Sequence, residues 1–296
     1  MLDLHRLTLL REIKLSGSMT AAARKLSYTH SAISQQMSLL EKEAGVALLE
    51  RVGRNVRLTP AGEELVANTE TILAAMERAE SDLASAHQRP VGVVTLAAFA
   101  TISRAVLPSA LALLHRRYPG LDLRLRLCDP TEAVVRLVSR QVDAVLTDSY
   151  PGTDSVPGGI HATELGKDPI RCYLPDPAMD TDAEALRAVH WVMEAPPSAS
   201  TQWAQRVCRE RGFEPVIAHE SGDLLFHLRL VEQGLAAAFL PDLVVREAGS
   251  TLTPSVSMPS DQERSILLLV RAGAEHRPQL TAIRDVVSEV FTTLYT

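Results

Sequence analysis

Apolar positions between residues 4 and 58 recur at helical spacing in three runs, then at strand spacing in two shorter ones. Leu4, Leu7, Leu10 and Ile13 share one face, which predicts a helix over 4–15. Gly17 ends it. Residues 20–26 are good helix formers and predict a short second helix. After a turn at 27–29, with Thr29 placed as an N-cap, a longer helix is predicted over 30–44. Its Ile33, Met37 and Leu40 face inward, and Gly45 is its natural stop. Residues 48–52 and 56–58 flank Gly53-Arg54-Asn55 and read as a hairpin. Thr59-Pro60 is a cap and first-turn pair that opens a long helix to about residue 88. Along it Leu65, Ile72, Met76, Ala79 and Leu83 form a heptad-like seam suited to dimerisation.

Beyond the break at Arg89-Pro90 and Gly92 the pattern alternates. Strands are predicted over 93–97, 121–127, 144–147, 170–174, 190–193, 216–219, 236–240 and 265–270. Helices fall at 103–117, 131–140, 201–211, 223–233 and 278–294, with a Pro/Gly-rich loop at 151–159. Alternation of this kind implies a parallel sheet built by right-handed crossovers. Two such lobes in one unit suggest a hinged binding module, with ligand at strand C-terminal ends near helix starts.

The 296 residues allow two or three folding units, and 46% hydrophobic with 22% charged residues is ordinary for a globular chain. No stretch approaches the ~18 apolar residues of a membrane span. Residues 1–14 are mixed and charged, unlike a secretory signal, so a cytoplasmic protein without membrane contact is expected. Cys128, Cys172 and Cys208 form no CxxC or metal cluster and read as reduced, mostly buried thiols. Charge is uneven. Residues 1–58 carry nine Lys/Arg against five Asp/Glu, a net +4, while the remainder carries 21 against 31. A basic head on an acidic body fits one segment that meets phosphate and another that does not.

One stretch decides the reading. It runs Ser18-x-Thr20-x-Ala22-Ala23-x-x-Leu26, then Ser31-Ala32-Ile33-Ser34-x-Gln36-Met37-x-x-Leu40-Glu41. Gly45-Val46-x-Leu48-Leu49-x-Arg51, Leu58-Thr59-Pro60-Ala61-Gly62 and Leu65 come next. It resembles the LysR-type family of bacterial transcription regulators, in order and without gaps. Leu107-Pro108, Tyr118-Pro119, Asp143, Gly234-Leu235 and Leu240-Pro241 resemble the family's sensing domain, so the likeness covers nearly the whole chain.

The fold class expected is α+β multi-domain. It comprises a winged helix-turn-helix at 1–59, a linker and dimerisation helix at 60–89, and a two-lobed, periplasmic-binding-protein-like α/β effector domain at 90–296. Lobe I covers about 90–163 and 267–296, and lobe II about 164–266. The resemblance implies a homodimer through Leu65, Ile72, Met76 and Leu83, and a homotetramer through a second interface. Double-stranded DNA and an unknown small-molecule effector are the expected partners, and RNA polymerase is a further candidate.

The physics of the first 58 residues agrees. Ala22-Ala23 let two helices meet closely, 27–29 is a short turn, and the third helix is apolar on one face and polar on the other. His30, Ser31, Ser34 and Gln35 open that polar face and can bond base edges in the major groove, Gln35 bidentate to adenine. Thr20 and Thr29 join the DNA-contacting set, and Arg51, Arg54 and Arg57 on the hairpin suit phosphate or the minor groove. The family often has Gln where this chain has His30, so base preference does not carry over there, and a His could make binding pH-dependent.

The family's effector lies between the subdomains, held by hydroxyls and backbone N–H groups at helix starts. Thr101 and Ser103 after the first strand, Thr131, and Thr147 are the candidates from one lobe, and Ser198, Ser200 and Thr201 from the other. An inward-facing Arg pair is not evident. No GxSxG, HExxH or Gly-rich phosphate loop stands out, so no catalytic residue, metal or cofactor is expected. Asp143, which precedes a buried strand, reads as structural. The alternative is an enzyme on a two-lobed α/β scaffold fused to a DNA-binding module. A solute-binding transport protein fits poorly with a helix-turn-helix ahead of the lobes.

Overall fold

A computed structural model describes residues 1–26, 28–52, 55–85, 89–153, 156–180 and 183–295. The chain divides into two compact units, Met1–Glu80 and Ser81–Thr296.

In the first unit α1 (Leu4–Ser16) is capped by Asp3, whose carboxylate accepts from the Arg6 N–H at 3.1 Å. It ends in left-handed Gly17. Ser18 caps α2 (Met19–Lys25), and Thr29 caps α3 (His30–Ala44) by accepting from the Ala32 N–H at 3.1 Å. Gly45 closes α3 at φ 72°. The inward faces meet in one core that includes Leu7, Leu10, Ile13, Ala22, Ile33 and Leu40.

The antiparallel hairpin β1 (Leu49–Val52) and β2 (Asn55–Leu58) comes next. Glu41 holds its entry by accepting from the Leu48 and Leu49 N–H groups at 2.9 and 3.1 Å. The Thr59-Pro60-Ala61-Gly62 run then starts α4 (Pro60–Ser85). The Thr59 hydroxyl donates to the Ala47 carbonyl at 2.8 Å and accepts from the Gly62 N–H at 3.1 Å. Gly62 has to be glycine because a Cβ there would collide with the Leu48 carbonyl oxygen.

The second unit carries β3 (Gly92–Ala98), α5 (Ala100–Ala105), α6 (Leu107–Arg117), β4 (Leu121–Leu127), α7 (Pro130–Val138) and β5 (Ala144–Ser149). Then come β6 (Ile160–Tyr173), α8 (Ala183–Ala188), β7 (His190–Met193), α9 (Ala199–Glu210) and β8 (Val216–Glu220). The chain ends with α10 (Leu224–Glu232), β9 (Ala238–Pro241), α11 (Asp242–Glu247), β10 (Gln262–Arg271) and α12 (Pro278–Thr293).

Six strands form one sheet in the order β4-β3-β5-β10-β6-β9, and β7 pairs in parallel with β8. The sheet is mixed, which corrects the all-parallel expectation. Strands β4, β3 and β5 are parallel, whereas β10 runs antiparallel to β5 and β6, and β6 antiparallel to β9. The physical reason is the two-lobed path. Strand β6 carries the chain out of one lobe and β10 carries it back in the opposite direction. One core gathers Leu96, Ile102, Leu107, Ile283, Val287 and Phe291, and another gathers Trp191, Trp203, Phe213, Cys172 and Cys208.

Other expectations also change. The helix expected over 103–117 is two helices that meet at Val106, because Pro108 has no N–H to continue the ladder. Strand β6 starts ten residues before the expected 170, since its first half alternates polar and half-buried positions around Gly166 and Pro169. The short helices α8 and α11 are additions to the expected elements. The far end of the helix expected to reach about residue 88 lies outside the described residues.

Candidate functional site

Two regions carry functional chemistry, one in each unit. On α3, Ile33, Met37 and Leu40 are buried while His30, Ser31 and Gln35 are exposed and Ser34 half-exposed. The neighbouring glutamines have different surroundings. Gln36 accepts from the Arg6 Nε at 3.1 Å, whereas Gln35 projects outward. The Thr29 hydroxyl is shared between its capping bond and the Ser31 hydroxyl at 3.0 Å, and Thr20 is exposed at the start of α2.

The positive charge of this unit is largely spent internally. Arg6 pairs with Glu43, Arg11 with Glu70, Lys14 with Glu63 and Lys25 with Glu12. Arg57 donates across the hairpin to Glu50 at 2.7 and 3.1 Å, so it is a partly neutralised phosphate candidate. Arg54 lies outside the described residues. Among the described residues Arg24, Lys42 and Arg51 are exposed and form no ion pair. Arg24 and Lys42 are exposed cations of this unit beyond the sequence candidates, and an exposed Arg at the end of α2 is a signal legible in the sequence.

In the second unit the seven hydroxyl candidates do not converge. Thr101 and Thr147 are buried and Ser103 is half-buried. Thr131 is exposed, and Asp129, accepting from the Glu132 N–H at 2.9 Å, is the cap of α7. Ser198, Ser200 and Thr201 do come together, on Glu194. Both serine hydroxyls donate to the Glu194 Oε2, Ser200 at 2.7 Å, and the Thr201 hydroxyl donates to the Glu194 carbonyl at 2.6 Å. In the structure the chain's own Glu194 takes these hydroxyls.

Glu194 borders a small hollow with a cavity volume of about 30 Å³, whose walls include Tyr150, Trp203, Phe239, Thr201 and His227. Trp203 meets Tyr150 at 5.6 Å and Phe239 edge-on at 5.0 Å between ring centroids. The His227 Nε2 donates to the Ser221 carbonyl at 2.7 Å, and burial lowers its pKa below the ordinary histidine value.

A buried charge network stands behind this region and lay beyond the sequence expectations. The Arg264 guanidinium donates to Asp168 at 2.7 and 2.9 Å and to Asp148 at 2.9 Å, and lies 5.3 Å from the Phe99 ring centroid. Burial pushes the Asp148 carboxyl up despite Arg264, and Glu194 adds to the rise. Asp168 also accepts from the Tyr295 hydroxyl at 2.6 Å and the Leu243 N–H at 3.1 Å. Asp143 is structural as expected, accepting from the Thr95 N–H at 2.8 Å.

The cysteines are free thiols, Cys172 and Cys208 buried and Cys128 half-buried. Burial pushes the Cys208 thiol up to about 12 and Cys172 well above its ordinary value. Among the described residues no cluster of His, Cys, Asp and Glu could hold a metal ion, and no helix is long and apolar enough to cross a membrane.

Residues 4–63 match the family model for "Bacterial regulatory helix-turn-helix protein, lysR family", and residues 87–292 match "LysR substrate binding domain". This chain belongs to the LysR family of bacterial regulators. A curated LysR-type relative, the "Probable hydrogen peroxide-inducible genes activator" of Streptomyces viridosporus, is 30% identical over 283 residues, covering 91% of this chain and 89% of its own. Full-length OxyR from Pseudomonas aeruginosa aligns at TM-score 0.62 and 19% identity over 97% of this chain and 95% of that one. CbnR, solved full-length with its target DNA, aligns at TM-score 0.53 and 22% identity over 98% and 99%. The chain is therefore a LysR-type transcription regulator, with a DNA-binding helix-turn-helix and a two-lobed substrate-binding domain.

Proposed function

We propose that this regulator reads operator DNA through the exposed row His30, Ser31, Ser34 and Gln35 of α3, and changes that binding when a small molecule binds the effector domain beside Glu194. The row over its buried counterpart, Ile33, Met37 and Leu40, is the observation that carries the reading. Its side chains match groove-edge donors and acceptors, and Thr20, Thr29, Arg24 and Arg51 are further exposed groups of the same unit suited to phosphate. Arg57 contributes less, being held by Glu50.

The functional unit in this reading is a homodimer through α4. Ile72, Met76 and Leu83 are exposed on that helix and supply the seam, while Leu65 is half-buried against the core of the first unit and supports the helix from below. A second contact between sensing domains would make a homotetramer. The protein acts in the cytoplasm, where its operator and RNA polymerase are.

Sensing is assigned to the region around Glu194 at the start of α9. The relative's name concerns hydrogen peroxide, but the thiolate is the reactive form of cysteine, and burial keeps Cys172 and Cys208 protonated near neutral pH. The test is selection of bound sequences from random DNA with the full-length protein, repeated with metabolite mixtures. An inverted repeat with half-sites about one turn (~34–36 Å) apart, or a multiple of it, is expected. Absence of any enriched sequence would overturn DNA readout. Metabolite mixtures that never change the enrichment or the affinity would overturn sensing.

A further inference from the structure

The turn that leads into α3 carries a donor that the base-reading row does not use. Tyr28 stands directly before the cap Thr29 and is 40% exposed. Its backbone is fixed by its N–H, which donates to the Ala23 carbonyl at 2.8 Å. Its side chain reaches back to the first turn of α1. There the phenol oxygen lies 3.2 Å from the His5 Nε2, with the ring centroids 6.0 Å apart. His5 is exposed as well, and among the described residues neither side chain has a further hydrogen-bond partner.

Counting hydrogens shows what this pair offers. A neutral phenol has one O–H and a neutral imidazole one N–H. One of the two is spent between them. When the Nε2–H donates to the phenol oxygen, the phenol O–H is left over. When the phenol donates to Nε2, the N–H left over is on Nδ1. The pair therefore presents one unused donor in either arrangement. The first suits an anion better, because a phenol that accepts from Nε2 donates more strongly in turn. Both rings are already held, so little further freedom is lost when an acceptor arrives.

The position of this donor points to its acceptor. A helix with its side chains is about 10–12 Å across, and the major groove of B-DNA is about 12 Å wide. A helix seated there by its first turns has phosphates on either side of its start. Arg6, next to His5, donates to Gln36 of α3 at 3.1 Å, so the first turn of α1 lies alongside α3. With His30, Ser31, Ser34 and Gln35 turned to the bases, the residue just ahead of the cap and the first turn of α1 meet the rim of the groove. The acceptors there are phosphate oxygens, which take hydrogen bonds from tyrosine and other uncharged side chains.

We propose that Tyr28 donates a hydrogen bond to a DNA phosphate beside α3, with His5 as its positioning residue. The inference rests on the reading of operator DNA by α3 above.

The test uses the full-length protein with a selected operator duplex and a random duplex, each titrated over a range of salt concentrations at constant pH. Tyr28→Phe keeps the ring and removes the hydroxyl. It should weaken binding to both duplexes alike, by about threefold to tenfold. The slope of the salt dependence should stay as in the wild type, because a neutral donor releases no counterion. His5→Ala should lose a similar amount, and His5→Gln should recover most of it. In the Tyr28→Phe background His5→Ala should cost less than about twofold more. Melting temperatures should match the wild type throughout. Tyr28→Phe that binds both duplexes as tightly as the wild type overturns the contact. A loss confined to the operator, or a flatter salt dependence, does so too. Additive losses for Tyr28→Phe and His5→Ala overturn the positioning role of His5. A wild type with no preference for its selected operator removes the reading by α3 alone, and the random duplex then decides the Tyr28 contact.

Discussion

Arg264 and Asp168 face each other across β10 and β6, directly paired in register, with their side chains 1% and 0% exposed and joined by two hydrogen bonds of 2.7 and 2.9 Å. The pair lies where the two long strands pass between the lobes. Through the Tyr295 hydroxyl and the Leu243 N–H, Asp168 also ties in the C-terminal end of the chain and the first turn of α11. Removing one partner leaves an uncompensated buried charge. Asp168→Ala should therefore destabilise the second unit by about 3–5 kcal/mol. The double variant Asp168→Ala/Arg264→Leu should lose less than the sum of the two single changes. Chemical denaturation of all three checks this, and strict additivity would refute the coupling.

His227 makes stability depend on pH with a definite sign. Burial lowers its pKa below the ordinary 6.5. At pH values below 6.5 the unfolded chain takes up a proton that the folded chain does not. The stabilisation is complete above that pH and is lost as pH falls toward the lowered folded value. The wild-type melting temperature should drop through this window, and His227→Gln should show a shallower drop. Parallel melting curves for the two proteins would rule out His227 as a source.

Gln35 and Ile33 occupy opposite faces of α3 and should fail differently. Gln35→Ala is expected to cost about 1–3 kcal/mol on the operator and relax preference at one base pair per half-site, with normal melting. Ile33→Ala, at a fully buried position, should cost about 2–5 kcal/mol of fold stability through a cavity, with DNA affinity falling as a consequence. Binding titrations on operator variants, run beside melting curves, separate the two. Unchanged discrimination in the Gln35 variant would move base readout to His30 and Ser31.

Phosphate contacts have their own signature. Arg24→Ala and Arg51→Ala should each weaken binding to all DNA alike and flatten the salt dependence by about 0.9 per lost contact. Arg57→Ala should flatten it less, because Glu50 already pairs with that guanidinium. A loss confined to one operator variant would reassign the residue to base readout.

The exposed apolar residues of α4 give a prediction about assembly. Ile72→Glu together with Met76→Glu places charge on the proposed seam, at positions 42% and 41% exposed in the single chain. Sedimentation at micromolar concentration should show a dimer or larger species for the wild type and monomer for the variant. An unchanged distribution would exclude this face from the interface.

The amino-acid sequence by itself determined the DNA-binding unit almost residue by residue. Its signals are local: Ser18 and Thr29 cap the helices they precede, Gly17 and Gly45 supply left-handed stops, and the spacing of Ile33, Met37 and Leu40 assigns a face to α3. Such features depend on neighbours within a few positions, so they can be read before the chain is folded. The strands and helices of the sensing domain were legible for the same reason, down to 121–127 and 190–193. The tertiary structure alone decided strand direction in its sheet and the character of its site. Arg264 meets Asp168 across 96 residues and Asp148 across 116, and no periodicity encodes a contact at that separation. The hydroxyls of Ser198 and Ser200 looked like ligand donors in the sequence. Only the turn of chain from β7 into α9 brings Glu194 beneath them, where it takes both hydroxyls.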